Sequence, residues 1–438
     1  MRLRINHFAI LFISLGGLMG SMFGVSFFAF SFSFFGLLCF LLSMQKKEFF
    51  LWLLVFFSIF LLFQQGSFLA LKKAFVLSAE FGTLMIAISF VALASNNSHI
   101  KFFLQRFFSK KRSSAFSYIL GHISGALLNL SGLLILVSSL ENKNKKSLSK
   151  NLILIHRGFS FAPAWSPYSY FTPIILLTFS NLKWFDLVLL AFTFIIPMFV
   201  LSCFILKTKE ETNVSSIFPK INVKKEKKAL IYAVLFCLSI ISIMSFSNIS
   251  SKIIIHWILP FLALIWLVLE SSAFVDFFEN TKKHFVSTIP SLRFEILALC
   301  TAGLVTSVFA DISLNQYLNY SQFEALFKNN MFNTSLLVVL MFTSIVSFMF
   351  LGINPILFVG IVSFGVNMEL YSSITAVSIL VGSWGMFSTL SPFAAANLVV
   401  ARASSLSGNM LSFKINKNYN IITYFICVSI ILCFHILS

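Results

Sequence analysis

Acidic residues are scarce in this chain: 14 Asp and Glu stand against 32 Lys and Arg in 438 residues. Charged residues together make up 11% of the sequence, 58% is hydrophobic, and the mean hydropathy is +0.93. A water-soluble fold could not cover so much apolar surface. Cys39, Cys203, Cys237, Cys300, Cys427 and Cys433 all fall within apolar runs and form no CxxC pair, so they outline neither a disulfide framework nor a metal site. HExxH, GxSxG and GxxxxGK[ST] patterns are also missing, and no extended polar region could house a nucleotide-binding module. These gaps argue against a soluble enzyme, a zinc hydrolase and an ATP-driven pump. The chain is expected not to be an enzyme and to need neither a cofactor nor a metal.

What is present is a succession of apolar runs, most of them long enough to cross a hydrocarbon core of about 30 Å, with the second and third short. The expected fold class is all-α: a polytopic membrane protein of roughly 10–12 spans, with two inverted repeats and broken or re-entrant helices. The formal charge of +18 sits between the runs, as in loops that obey the positive-inside rule. It points to anionic lipid as a partner and away from nucleic acid. The 57 phenylalanines fit lipid-facing and packing positions. A basic start followed by a long apolar stretch without an A-x-A site reads as an uncleaved first span.

In order, spans are expected near 8–29, 30–44, 49–63 and 74–94. In 95–114, Ile100, Phe103, Leu104, Phe107 and Phe108 share one helical face, which suggests an interfacial helix. Segment 115–140 holds Gly121, Gly125 and Gly132 between two basic stretches, which favours a re-entrant pair of short helices over one span. A broken segment follows at 151–180, then a span at 184–206 and the basic linker Lys207–Lys228. Further spans are expected near 229–247, 253–270, 292–310, 332–351 and 353–368, then a second broken segment at 371–400 and a last span at 419–437. This divides the chain into accessory spans (1–73), a first repeat (74–207), a linker with connecting spans (208–291) and a second repeat (292–438).

The two breaks are the most informative stretches. Gly158–Tyr170 contains Ser166-Pro167-Tyr168-Ser169, and Gly382–Asn397 contains Ser391-Pro392-Phe393-Ala394. In hydrocarbon every backbone N–H and C=O needs an internal partner, so such segments belong inside protein or beside water. Paired breaks in two halves are where carriers build their sites. The candidate solute-binding residues are Ser166, Tyr168, Ser169, Ser388, Thr389, Ser391 and Asn397, with Arg157 just before the first break. Glu80, an acid within an apolar run, is the candidate for coupling an ion. Plainer roles compete with these: prolines kink ordinary packing helices, Arg157 snorkels to the membrane edge, and Glu80 lies at the interface near Lys72 and Lys73. His122 and Asn129 fit interhelical hydrogen bonding.

This layout resembles the ion transporter superfamily of divalent-anion/sodium symporters, citrate carriers and arsenite-type permeases. The resemblance spans about 74–438 in arrangement and is nearest at Ser391-Pro392-Phe393-Ala394-Ala395-Ala396-Asn397. Neither break holds the Ser-Asn-Thr signature of the sodium-coupled carboxylate branch. The resemblance implies two inverted repeats, each with a re-entrant hairpin and a broken helix. It also implies a secondary transporter of a small, anionic solute coupled to H⁺ or Na⁺ in a bacterial-type cytoplasmic membrane, with a homodimer left open. The alternative is a membrane-embedded enzyme or scaffold of envelope biogenesis, such as a glycan polymerase, which would be expected to have a larger outer loop than 311–330.

Loop charges set a topology in which Lys207–Lys228 is inside while Asp311–Asn330 and the C-terminus are outside. Single cysteines placed in these loops, in a chain lacking its native ones, should react with an impermeant maleimide from outside only at the latter two. Labelling of the central linker in intact cells would overturn this orientation.

Overall fold

The computed structural model describes residues 2–64, 68–100, 103, 113–140, 150–167, 169–205, 223–247, 249–271, 274–311 and 330–438. Among these residues no strand occurs and the regular elements are helical. Within a bilayer a helix is the element that satisfies its own backbone in one segment. Seven helices are long and apolar enough to cross a membrane, or eight if the pair Phe274–Ser291 and Arg293–Phe309, bent by 62°, makes one span. The shorter apolar helices Phe27–Leu42, Phe49–Gln64, Ile254–Glu270 and Pro355–Asn367 add to these. The chain is an all-α, multi-pass membrane protein. The 101–102 and 104–112 stretch of the expected interfacial helix, loop 141–149, linker 206–222, loop 312–329 and Tyr168 lie outside the described residues.

The first helices form one side of the bundle. Helix α1 (Arg2–Phe23) packs on α2 (Phe27–Leu42) across a turn where Gly24 takes φ +63° and Ser26 caps α2. Helix α3 (Phe49–Gln64) follows, then α4 (Phe68–Asn97), which is buried over 83% of its apolar window. A helix that is apolar all round belongs in the interior.

Next comes α5 (Ser114–Leu140), which is two helices rather than one. At Asn129 the backbone takes φ 52° and ψ −139°, far from helical values. A Cβ on Gly132 would overlap the carbonyl of Ser124, eight residues earlier and about 12 Å away in a straight helix. The chain therefore turns sharply at Asn129, which brings Gly132 against Ser124.

The first break follows as α6 (Lys150–Ser160), a 3₁₀ turn at Ala162–Ala164, and α7 (Phe171–Thr178). Then come α8 (Trp184–Val200), α9 (Val223–Phe246), α10 (Leu259–Glu270), entered through a π-helical stretch at Ile254–Ile258, and α11 (Phe274–Lys283). Helix α12 (Arg293–Asp311) packs along α4. Their approach depends on missing side chains: a Cβ on Gly82 would lie 2.5 Å from Cys300 Sγ, and one on Gly303 would lie 2.7 Å from Ser78 Cα.

The remaining elements are α13 (Met331–Phe350), α14 (Val359–Asn367), α15 (Ser373–Leu390), α16 (Ala395–Ala403) and α17 (Lys417–Leu437). Helix α15 ends where Pro392 forces Ser391 into an extended conformation, ψ 122°. The span made by α15 and α16 is buried over 83% of its window, whereas α17 is buried over 22%. Helices α4 and α15 thus form the centre, while α9, α13 and α17 present apolar surface outward, including Phe246, Phe348 and Phe425.

The close turn at Asn129 makes a stability prediction. Gly132→Val should push the two arms of α5 apart and cost about 1–3 kcal/mol, read as a lower unfolding temperature of the detergent-purified protein. An unchanged transition would show that the arms do not need this contact.

Candidate functional site

The two broken helices meet. Gly385 on α15 lies directly on the Phe161 ring, where any side chain would overlap it. Trp384 packs against Phe171 and Tyr170 with ring centroids 4.9 and 5.1 Å away. Across the same contact His156 Nε2 donates to the Ser388 carbonyl at 3.0 Å.

From this junction a buried polar seam runs through the second half. Thr389 Oγ1 donates to Asn420 Oδ1 at 2.8 Å, and Asn420 Nδ2 donates back to the Thr389 carbonyl at 3.1 Å. Asn420 Nδ2 also reaches the Ser412 carbonyl at 3.3 Å, and Asn397 Nδ2 donates to Ser412 Oγ at 2.7 Å and to the Ser391 carbonyl at 3.1 Å. The seam therefore links Thr389, the Ser391 carbonyl and Asn397 through Ser412 and Asn420, while Ser388 takes part only through its carbonyl at His156. Ser412 and Asn420 also line a mostly apolar groove of about 570 Å³ between α13, α15 and α17, with Thr343, Ser347 and Lys417 among its other lining residues.

Ser166 and Ser169 are held in other company. Ser166 donates to the Ala126 carbonyl in the first arm of α5, and Ser169 Oγ accepts the Phe171 N–H at 3.1 Å. Beside them Trp165 Nε1 donates to His122 Nε2 at 3.0 Å, and His122 Nδ1 donates to the Gly158 carbonyl at 2.9 Å. His122 is thereby a neutral imidazole in one fixed tautomer, joining the hairpin to the first break. Asn129 lines a separate cavity of about 440 Å³ with Ser89, Asn97, Asn280, Lys283 and His284.

Arg157 departs from the usual handling of buried charge. It is 3% exposed, so it does not snorkel. Its Nε donates to Asn416 Oδ1 at 3.0 Å, and its guanidinium lies 4.6 Å from the centre of the Tyr419 ring. Among the described residues no carboxylate is within ion-pair distance of it. Nη1 has no hydrogen-bond partner, nor do the buried Tyr118 and Tyr419 hydroxyls, Ser202 Oγ and Asn416 Nδ2. The Tyr419 phenol lies beside Ser160, Ser202 and Thr423 without an aligned bond. Every one of these orphaned groups can donate, and they surround or adjoin an uncompensated cation.

The other buried arginine shows the contrast. Arg293 is 3% exposed and makes a bidentate pair with Glu48, at 2.6 Å from Nε and 2.9 Å from Nη2. It also donates to Asn6, to Ser43 Oγ at 2.6 Å and to the Phe40 carbonyl at 2.8 Å. Glu80 is likewise paired: it is 1% exposed, and Lys252 Nζ lies 3.2 and 2.9 Å from its two oxygens. His256 sits between them, with Nδ1 2.8 Å from the Lys252 carbonyl and Nε2 3.0 Å from the Glu80 carbonyl. Among the described residues no group of three His, Cys, Asp or Glu side chains could hold a metal ion.

Sequence reasoning passes over Tyr118, Ser202, Asn416 and Tyr419: the last two lie three residues apart at the start of α17, but Tyr118 and Ser202 come from other helices far away in the chain. It also passes over Lys252 and His256. A signal was available there, because the two are four residues apart in an apolar run and so share a helical face. Neither protein-family models nor curated protein sequences match this chain.

The two buried arginines should respond oppositely to Met. Arg293→Met strands Glu48 and should lower stability by about 3–5 kcal/mol, whereas Arg157→Met removes an unpaired charge and should raise it by about 1–4 kcal/mol. Thermal unfolding of both variants in a chloride buffer checks this.

Proposed function

We propose that this protein is a secondary active transporter of a small anionic solute, driven by H⁺ or Na⁺. The observation that supports it most directly is the set of unpaired buried donors at Arg157. An isolated buried cation costs several kcal/mol, and an oxyanion would supply both the missing charge and the acceptors for Tyr118, Tyr419, Ser202 and Asn416. Such a cost at a buried site is the kind of local strain that a functional site retains.

The order of elements agrees with two inverted repeats, 74–207 and 292–438. In each, a helix at the core (α4, α12) precedes a pair of helices (the two arms of α5; the 20-residue α13 with the short α14). A broken helix follows (α6 with α7; α15 with α16), and then an outer helix (α8, α17). The core helices pack on each other, as do the breaks and the outer helices. On this reading α5 is a re-entrant hairpin whose ends share one side of a cytoplasmic membrane.

The test is thermal unfolding of the purified protein against phosphate, sulfate, acetate, succinate and citrate, with choline and glucose as controls. One or more of the anions should raise the unfolding temperature, since a ligand at 100 times its Kd stabilises by about 2.7 kcal/mol. Arg157→Met should remove that rise. If no anion stabilises the protein, or if the Met variant responds equally, the site assignment fails.

A further inference from the structure

We infer that the driving ion is the proton and that His256 is the residue that takes it up. This rests on the transport reading above and narrows it. Both ring nitrogens of His256 face carbonyl oxygens, Nδ1 toward Lys252 at 2.8 Å and Nε2 toward Glu80 at 3.0 Å. A carbonyl oxygen only accepts, and a neutral imidazole has one N–H. Both contacts are hydrogen bonds only when the ring is an imidazolium. His122, equally engaged at both nitrogens, is the internal contrast, because one of its partners is the donor Trp165 Nε1–H.

The surroundings suit a cation that comes and goes. From α4 the ring is faced by Glu80, with Lys72 and Lys73 two turns away and Lys72 turned over the Phe68 ring at 4.7 Å. From its own segment it is faced by Lys252. At this level α1 contributes Gly20, which adjoins the Glu80 carboxylate, and Ser21, which accepts from Trp257 Nε1 at 3.1 Å. Helix α7, packed on Ser251–Ile253, has no titratable side chain. Among the described residues no carboxylate lies within ion-pair distance of the ring: Glu80 meets it through its backbone carbonyl, while its carboxylate is held by Lys252.

The same geometry disfavours Na⁺ here. Both Glu80 oxygens are engaged by the Lys252 ammonium, and Na⁺ would have to displace it. A proton needs no such room. It binds the free lone pair of the imidazole, converting it to imidazolium, and leaves by the same atom to water. Lys252, with 40% of its side chain exposed, marks where this buried pair reaches the protein surface. Loss of the proton from Nε2 removes the hydrogen bond joining Ile254–Ile258 to α4, and that stretch is π-helical, a register often found at functional sites. Proton release therefore loosens a contact to the central helix that packs on α12.

Two measurements decide the proposal. In the ¹⁵N-histidine-labelled protein in lipid nanodiscs at neutral pH, both His256 ring nitrogens should give the signals of protonated nitrogen, assigned by their loss in His256→Asn, while His122 shows one protonated and one bare nitrogen. A single-tautomer pattern at His256 overturns the assignment. In vesicles of phosphatidylethanolamine and phosphatidylglycerol, uptake of labelled phosphate, acetate and succinate is compared under pH and Na⁺ gradients. At least one anion should accumulate at least 5-fold under the pH gradient. His256→Gln should lose that accumulation yet keep anion exchange without a gradient. Accumulation driven by Na⁺, or by pH in the variant, overturns proton coupling at His256 alone. Absence of any exchange in the wild type overturns the transport reading itself, and the proposal with it.

Discussion

The bilayer offers no water to a buried charge, and the architecture is arranged around that constraint. Where a helix brings an ionised side chain into the interior, another must bring its complement, or the first charge costs several kcal/mol. The bidentate pair of Arg293 with Glu48 is the fullest case: Asn6, Ser43 and the Phe40 carbonyl take the guanidinium's other donors. That one side chain ties α12 to α1, α2 and the start of α3. Glu80 with Lys252 and His256 does the same between α4 and the segment before α10. Against this background the unpaired Arg157 is informative, because the fold demonstrably can build a partner when structure alone is at stake.

Buried polar residues of similar appearance differ in how they are held. Ser166, Ser169, Thr389 and Asn420 are buried and bonded to fixed neighbours within the protein. Their hydrogen bonds repair the backbone at the two breaks and fasten the breaks to the hairpin and to α17. Tyr118, Ser202, Tyr419 and Asn416 are just as buried, yet each keeps a polar atom without a partner. The first group holds the helices in place. The second has donors to spare.

The features legible in the sequence are those written locally. Pro392 and the Gly158–Tyr170 stretch announce their breaks because proline and its preceding residue leave few backbone choices. The glycines of 115–140 hint at a re-entrant pair, and the structure shows a helix broken at Asn129, though which of its residues forms the break could not be read from spacing. Apolar length revealed the membrane class and most span boundaries. What spacing cannot show is company. Lys252 lies 172 positions from Glu80, and Asn416 lies 259 from Arg157. Solute and ion residues could therefore be proposed one by one, while the contrast between a satisfied Arg293 and an unsatisfied Arg157 needed the fold.

The reversal at Asn129 has a consequence for how the chain is threaded into its membrane. The 27 residues of α5 would rise about 40 Å as one straight helix, more than a hydrocarbon core of about 30 Å requires. Nothing in their apolarity prevents the straight form, which would deliver Lys150 to the opposite face. On the re-entrant reading proposed above, folding back delivers it to the face from which Ser114 set out. Every later helix would then inherit that choice, so two torsion angles at a single asparagine would set the parity of all the crossings that follow.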